Sequence, residues 1–153
     1  MMLVTNYDFK VTSSRSQTIK GFRNDIEVDF IRFDYPHLFP CDNIENIRIE
    51  SIPDIIAMKL LSITDNGSRI KDFIDIAFLS SRYSLNDMLN FYLKKIPNSN
   101  ALMPLKALTY FEDIDFKESV VMLNHAFDWT EISARLMDMA NSPNKIFPEP
   151  FST

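Results

Sequence analysis

The stretch Ser51-Ile52-Pro53-Asp54-Ile55-Ile56-Ala57-Met58-Lys59-Leu60-Leu61-Ser62-Ile63 sets one lysine inside an apolar helical pattern, and the acidic cluster Lys71-Asp72-Phe73-Ile74-Asp75 follows closely. Ile52, Ile55, Ile56, Leu60 and Ile63 recur at helical spacing, with Lys59 among them rather than opposite. An ammonium there must snorkel to water, pair with a carboxylate, or meet an anionic ligand. The helix start is well marked: Ser51 can cap, Pro53 fits the first turn, and Asp54 stands three residues after Ser51 as in a capping box. Asp54 thus has two readings at this stage, a cap and a functional carboxylate.

A second helix is predicted over 69–82, with Ile70, Phe73, Ile74, Ala77 and Phe78 as its buried stripe. Asp72 and Asp75 are three apart and so neighbours on its surface; Lys71 can pair with Asp75 at four-residue spacing. Two carboxylates in a first turn are also favoured by the helix dipole. The other reading is that Asp72 or Asp75 orients Lys59, or a metal-bound phosphate, across the interface between the two helices. Spacing leaves both open.

Upstream, Asp25-Ile26-Glu27-Val28-Asp29-Phe30-Ile31-Arg32-Phe33 alternates as a strand does and stops before Asp34-Tyr35-Pro36. Ile26, Val28 and Phe30 share one face; Asp25, Glu27 and Asp29 share the other with Ile31 and Phe33. Such a face suits either a strand bordering a cleft or an ordinary solvated sheet.

The organisation reads as strands first and helices after, an α+β pattern with a small antiparallel or mixed sheet followed by a helical C-terminal region. Strands are expected over 2–12, 16–22, 25–34 and at Ile47-Arg48-Ile49-Glu50, and helices over 53–64, 69–82, 85–95, 99–111 and 129–140. Ser84 and Asp128 are the expected caps of the third and fifth helices. Residues 1–50 would form the sheet, 51–141 a helical region packed on it as one unit, and 142–153 an extended or mobile tail broken by Pro143, Pro148 and Pro150. Glu112 to Asn124 fits a loop or a short helix.

Composition narrows the function classes. With 153 residues, 46% of them hydrophobic, the chain can bury a core without disulfides or a cofactor. The single cysteine, Cys41, excludes an internal disulfide and fits a reducing compartment. His37 and His125 lie far apart without metal-ligand spacing and read as incidental. A net charge of −5 argues against a broadly basic nucleic-acid surface, although Arg69, Arg82, Lys94, Lys95 and Lys106 fit either a local patch or solvated helix faces. No apolar run is long enough to span a membrane and Met1 to Asp8 lacks signal-peptide character, so the expectation is a cytoplasmic protein with no membrane partner.

Taken in order, I-E-V-D-F-I-R-F-D-Y-P, I-R-I-E-S-I-P-D-I-I-A-M-K-L and G-S-R-I-K-D-F-I-D-I resemble the later portion of the nucleotidyltransferase AbiEii/AbiGii toxin family, and the similarity continues to the helix beginning Asp128-Trp129. The resemblance implies that residues 1–50 are a partial nucleotidyltransferase sheet. It implies further that Asp29 is the third active-site carboxylate, able to share a metal ion and help activate the acceptor hydroxyl. Asp54 and Lys59 stand where the family has an acidic residue and a phosphate-contacting lysine, and Asp72 and Asp75 match its D-x-x-D. Mg²⁺ and an NTP are the implied cofactors, an RNA or protein the acceptor, and an antitoxin the implied partner. Asn66-Gly67 stands where relatives often have Arg-Gly, so the resemblance does not carry over the phosphate or RNA contact that an arginine there would imply.

Family members also carry a Gly-Ser loop and a D-x-D pair that hold the triphosphate and metal ions. Here glycine occurs only at Gly21 and Gly67, and neither Glu27-Val28-Asp29 nor Asp25-Ile26-Glu27 follows a glycine-rich loop. Two-metal phosphoryl transfer needs clustered carboxylates, so Asp29 alone cannot support it. The expectation is a truncated homologue that binds neither Mg²⁺ nor NTP tightly by itself and is active only if the missing N-terminal half is supplied. The alternative is a non-catalytic module that binds a nucleotide, an RNA or an antitoxin. Loss of a sheet strand would leave an exposed edge, favouring self-association or docking of that segment.

Overall fold

The structure, a computed structural model, describes residues 8–122 and 127–149. The protein is α+β, with five helices and two small antiparallel sheets among the described residues. The chain divides into two compact units, Met1–Tyr35 and Pro36–Thr153, so residues 36–50 group with the helices.

The first unit is a meander of β1 (Lys10–Arg15), β2 (Thr18–Arg23) and β3 (Ile26–Ile31), in that order across the sheet. Asn24 and Asp25 join β2 to β3 with both φ angles positive, the conformation whose twist suits a two-residue hairpin. Asp25 therefore belongs to the turn and not, as alternation suggested, to the strand. Phe9, which is buried, packs edge-on against Phe30 with ring centroids 5.4 Å apart. Its ring also lies over Gly21, where an added Cβ would sit 2.5 Å from Phe9 Cζ and 2.3 Å from the Lys10 carbonyl oxygen. Only glycine permits that approach.

The second unit opens with a hairpin, β4 (Asp42–Ile44) and β5 (Ile47–Ile49), turned at Glu45 and Asn46, both again at positive φ. The strand at Ile47 thus pairs in a separate two-stranded sheet rather than as a fourth strand of the first. Five helices follow: α1 (Ile52–Asp65), α2 (Ile70–Leu79), α3 (Leu85–Lys95), α4 (Leu102–Leu108) and α5 (Trp129–Asn141). Their starts follow from capping chemistry. Ser51 Oγ accepts from the Asp54 N–H, Asp128 Oδ1 from the Thr130 N–H, and Ser84 forms a full capping box with Asp87. No regular element occupies residues 112–122.

Helix α1 packs against α2, α3 and α4, and α2 also against α5. Ile56, Leu60 and Ile63 of α1 and Phe73, Ile74 and Ala77 of α2 are buried in the core, whereas Ile52 is exposed. Trp129 at the start of α5 makes edge-on contacts with Phe73, Phe111 and Phe116. The aromatics thus act as packing groups. The tail after α5 forms no regular element as far as it is described, and it is anchored to the helices. Phe147 is buried, its N–H donates to the Ser80 carbonyl, and Arg135 donates to the Pro148 carbonyl at 2.9 Å. Pro143 supplies a carbonyl to the Asn86 N–H, and the Arg135 guanidinium lies 4.9 Å from the Phe147 ring centroid.

Candidate functional site

Lys59 projects from the middle of α1 toward the first turns of α2. Its Nζ donates to Asp72 Oδ1 at 3.0 Å and forms an ion pair with Asp75. Asp72 is buried, and its second oxygen accepts from Ser62 Oγ at 2.7 Å, with Arg69 Nη1 at 3.9 Å. The two ends of this cluster differ in exposure: the side chain of Asp72 is 5% exposed, that of Lys59 22% and that of Asp75 48%. Burial alone would lower the Lys59 pKa, but the hydrogen bonds and charges of Asp75 and Asp72 outweigh it and raise the pKa above its ordinary value. The lysine is therefore a fixed cation that still faces solvent on one side. Lys71 does not pair with Asp75 as spacing suggested; it meets Glu118 Oε1 at 3.0 Å.

Asp54 goes elsewhere. It is five residues before Lys59, about 140° away around the axis at roughly 3.6 residues per turn, and the two share no partner. Its buried carboxylate accepts from Lys95 Nζ at 2.6 Å, Ser51 Oγ at 2.6 Å, Leu38 N at 2.9 Å and Phe39 N at 3.2 Å. Burial pushes this carboxyl up, yet the hydrogen bonds from Lys95, Ser51, Leu38 and Phe39 prevail and hold its pKa down to about 2. Lys95 is itself buried and also donates to the Pro36 carbonyl at 3.0 Å. Both the basic-patch and the solvated-face readings of Lys94-Lys95 put the two lysines in water, but of the two only Lys94 is exposed. The available signal was position: Lys95 lies three residues after Tyr92 and seven after Met88, both buried.

Asp29, on the exposed strand β3, stands directly across from Lys20 on β2 and accepts from its Nζ at 2.6 Å. That hydrogen bond and the Asp29 charge raise the Lys20 pKa. Among the described residues, no group of three potential metal-ligand side chains includes Asp29. An open cleft of about 470 Å³ separates the α1–α2 turn, with Asn66, Gly67 and Ser68, from Tyr110 and Asp113 after α4. Its rim is acidic: the hydrogen bond from Tyr110 to Glu112 and the charges of Asp113 and Glu112 raise the tyrosine pKa. Such a cleft repels phosphate. His37 is not isolated: its Nδ1 is 3.1 Å from Glu50 Oε2. His125 lies outside the described residues.

A family model of the nucleotidyl transferase AbiEii toxin, of type IV toxin–antitoxin systems, matches residues 9–148. The chain belongs to this family. No curated protein and no solved structure matches it significantly. As an AbiEii-family chain it falls within a toxin class for which a cognate antitoxin is implied, and within nucleotidyl transferases that typically use an NTP and a metal. Tested against those cofactors, the residues divide. Lys59 is a half-buried cation able to meet a phosphate, whereas Asp29 is a single carboxylate paired with a lysine and does not fit a two-metal centre by itself. No helix among the described residues is long and apolar enough to cross a membrane.

Proposed function

We propose that this chain supplies the phosphate-contacting helices of an AbiEii-type nucleotidyltransferase that moves a nucleotide from an NTP to an RNA or protein acceptor. The observation that carries this reading is Lys59, held by a buried aspartate that is itself braced by Ser62. A plain surface ion pair needs no such brace. In this reading Lys59 contacts the nucleotide phosphates, Asp72 positions the ammonium, and Asp75, half exposed, gives way as the phosphate arrives. Asp54 orients α1 through its first turn without touching the nucleotide, and Asp29 contributes one carboxylate near the acceptor. No Gly-Ser loop leads directly into a D-x-D pair, since Gly67-Ser68 and Asp113-Ile114-Asp115 are far apart in the sequence, so in this reading transfer depends on those elements coming from another segment.

The test is titration of the full chain with Mg²⁺-NTP, for each of the four nucleotides, beside Lys59→Ala. Binding in the parent and its loss in Lys59→Ala supports the site. Equal weak binding by both rejects it. The missing glycine loop favours a second reading, a non-catalytic module that binds RNA or an antitoxin. RNA binding or antitoxin capture that persists in Lys59→Ala, with no nucleotidyl transfer when the D-x-D segment is added, selects that reading.

A further inference from the structure

His37, Cys41 and Glu50 converge at the foot of the β4–β5 hairpin, with one ligand atom from each lying within 4.8 Å of the others. His37 Nδ1 is 3.1 Å from Glu50 Oε2 and 3.8 Å from Cys41 Sγ. Ligand atoms around one tetrahedral Zn²⁺ sit about 3.3–3.6 Å apart, given bonds of roughly 2.0–2.3 Å. The two distances from His37 are thus a few tenths of an ångström from ligand spacing, and Cys41 Sγ and the Glu50 oxygen, within 4.8 Å of each other, close onto an ion by a small side-chain rotation.

The placement is built by the fold. Asp42 pairs with Ile49 at the end of the hairpin, so Cys41 and Glu50 are the next two residues out, one on each arm. His37 lies between backbone groups that are fixed: the Pro36 carbonyl takes the Lys95 ammonium, and the Leu38 and Phe39 N–H groups donate to Asp54. Glu50 in turn immediately precedes Ser51, the cap of α1.

We propose that His37 Nδ1, Cys41 Sγ and a Glu50 carboxylate oxygen bind a borderline divalent transition ion, Zn²⁺ in the first instance. A neutral imidazole, a thiolate and a carboxylate carry two negative charges and balance the ion. Mixed N, S and O donors suit Zn²⁺ and exclude Mg²⁺, which demands oxygen. Arg48 Nη2, now 3.7 Å from Cys41 Sγ, swings out as the ion enters; it sits on an exposed strand with solvent around it. Three ligands leave a fourth position to water. The ion ties the 36–41 loop and the hairpin to the start of α1, and the site is independent of the nucleotidyl-transfer reading, none of whose residues it uses.

Equilibrium dialysis of the full chain against ZnCl₂, with CoCl₂ as the spectroscopic probe, tests this. The expected result is one equivalent of metal per chain, a thiolate-to-cobalt charge-transfer band, and a Tm that rises with Zn²⁺. Cys41→Ser, checked for folding by circular dichroism, should abolish the band and weaken binding by at least about tenfold; His37→Gln and Glu50→Gln should weaken it too. His125→Gln should change nothing. No binding at micromolar metal, or binding that Cys41→Ser leaves unchanged, overturns the site.

Discussion

Asp54 and Lys59 stand five residues apart on α1, each ion-paired to a residue of another helix, yet the two pairs are opposite in kind. Around Asp54 every acceptor position is taken and no solvent reaches the carboxylate or its partner Lys95. Around Lys59 the pairing grades from a buried aspartate to one half in water. A closed pair of this kind fixes geometry, since any change in it strands a charge. A graded pair retains a face on which a ligand can compete. The difference separates a structural clasp from a candidate site although both consist of lysine and aspartate.

The comparison is broken most directly at the closed pair. Asp54→Ala takes from the buried Lys95 ammonium its carboxylate partner and orphans the Leu38 and Phe39 N–H groups, and should cost about 3–5 kcal/mol in urea unfolding. Lys95→Met should cost less, because Asp54 keeps Ser51 and two backbone donors. Equal or negligible losses would show that the pair is not closed. Acid sharpens the same point. The folded Asp54 pKa of about 2 lies below its ordinary 3.8, so its contribution is present above about pH 4 and is lost as pH falls through 2. That contribution is about 2 kcal/mol, and unfolding free energies measured between pH 4 and 2 should fall less steeply in Asp54→Asn.

At the graded pair, Lys59→Ala should cost about 1–2 kcal/mol, since Asp72 keeps Ser62. A loss as large as that of Asp54→Ala would place Lys59 in the structural class. The smallest effect is expected for Asp75→Asn, within about 0.5 kcal/mol, because its side chain is half exposed. A thermal melt showing a larger drop would mean that Asp75 cannot yield to a ligand.

Much of the helical half was legible because it obeys local rules. Ser51, Ser84 and Asp128 were readable as caps, and all three accept the expected backbone N–H groups. The Lys59–Asp72 contact was readable as one alternative, since a lysine in an apolar stripe must find a partner. Lys95 was missed although the same stripe logic applies to it; two adjacent lysines at a helix end look solvated and dipole-favoured. The β4–β5 hairpin was missed because its turn is Glu45-Asn46, without the glycine that usually announces positive φ at both positions. The prolines made the absence of helix in the tail legible but not its docking, which rests on Phe147.

Helix α3 has a further property that concerns the order of events in folding. Its second residue, Asn86, has its N–H satisfied by Pro143, while Lys95 at its far end is satisfied by Asp54 and Pro36. Both ends are thus completed by segments dozens of residues away, and those contacts can form only after long loops close. α3 should therefore reach its native bonding late, after α1 and α2 have met. Pulsed hydrogen exchange should find the Asn86 amide protected after those of the α1 interior; simultaneous protection would show that the unit forms in a single step.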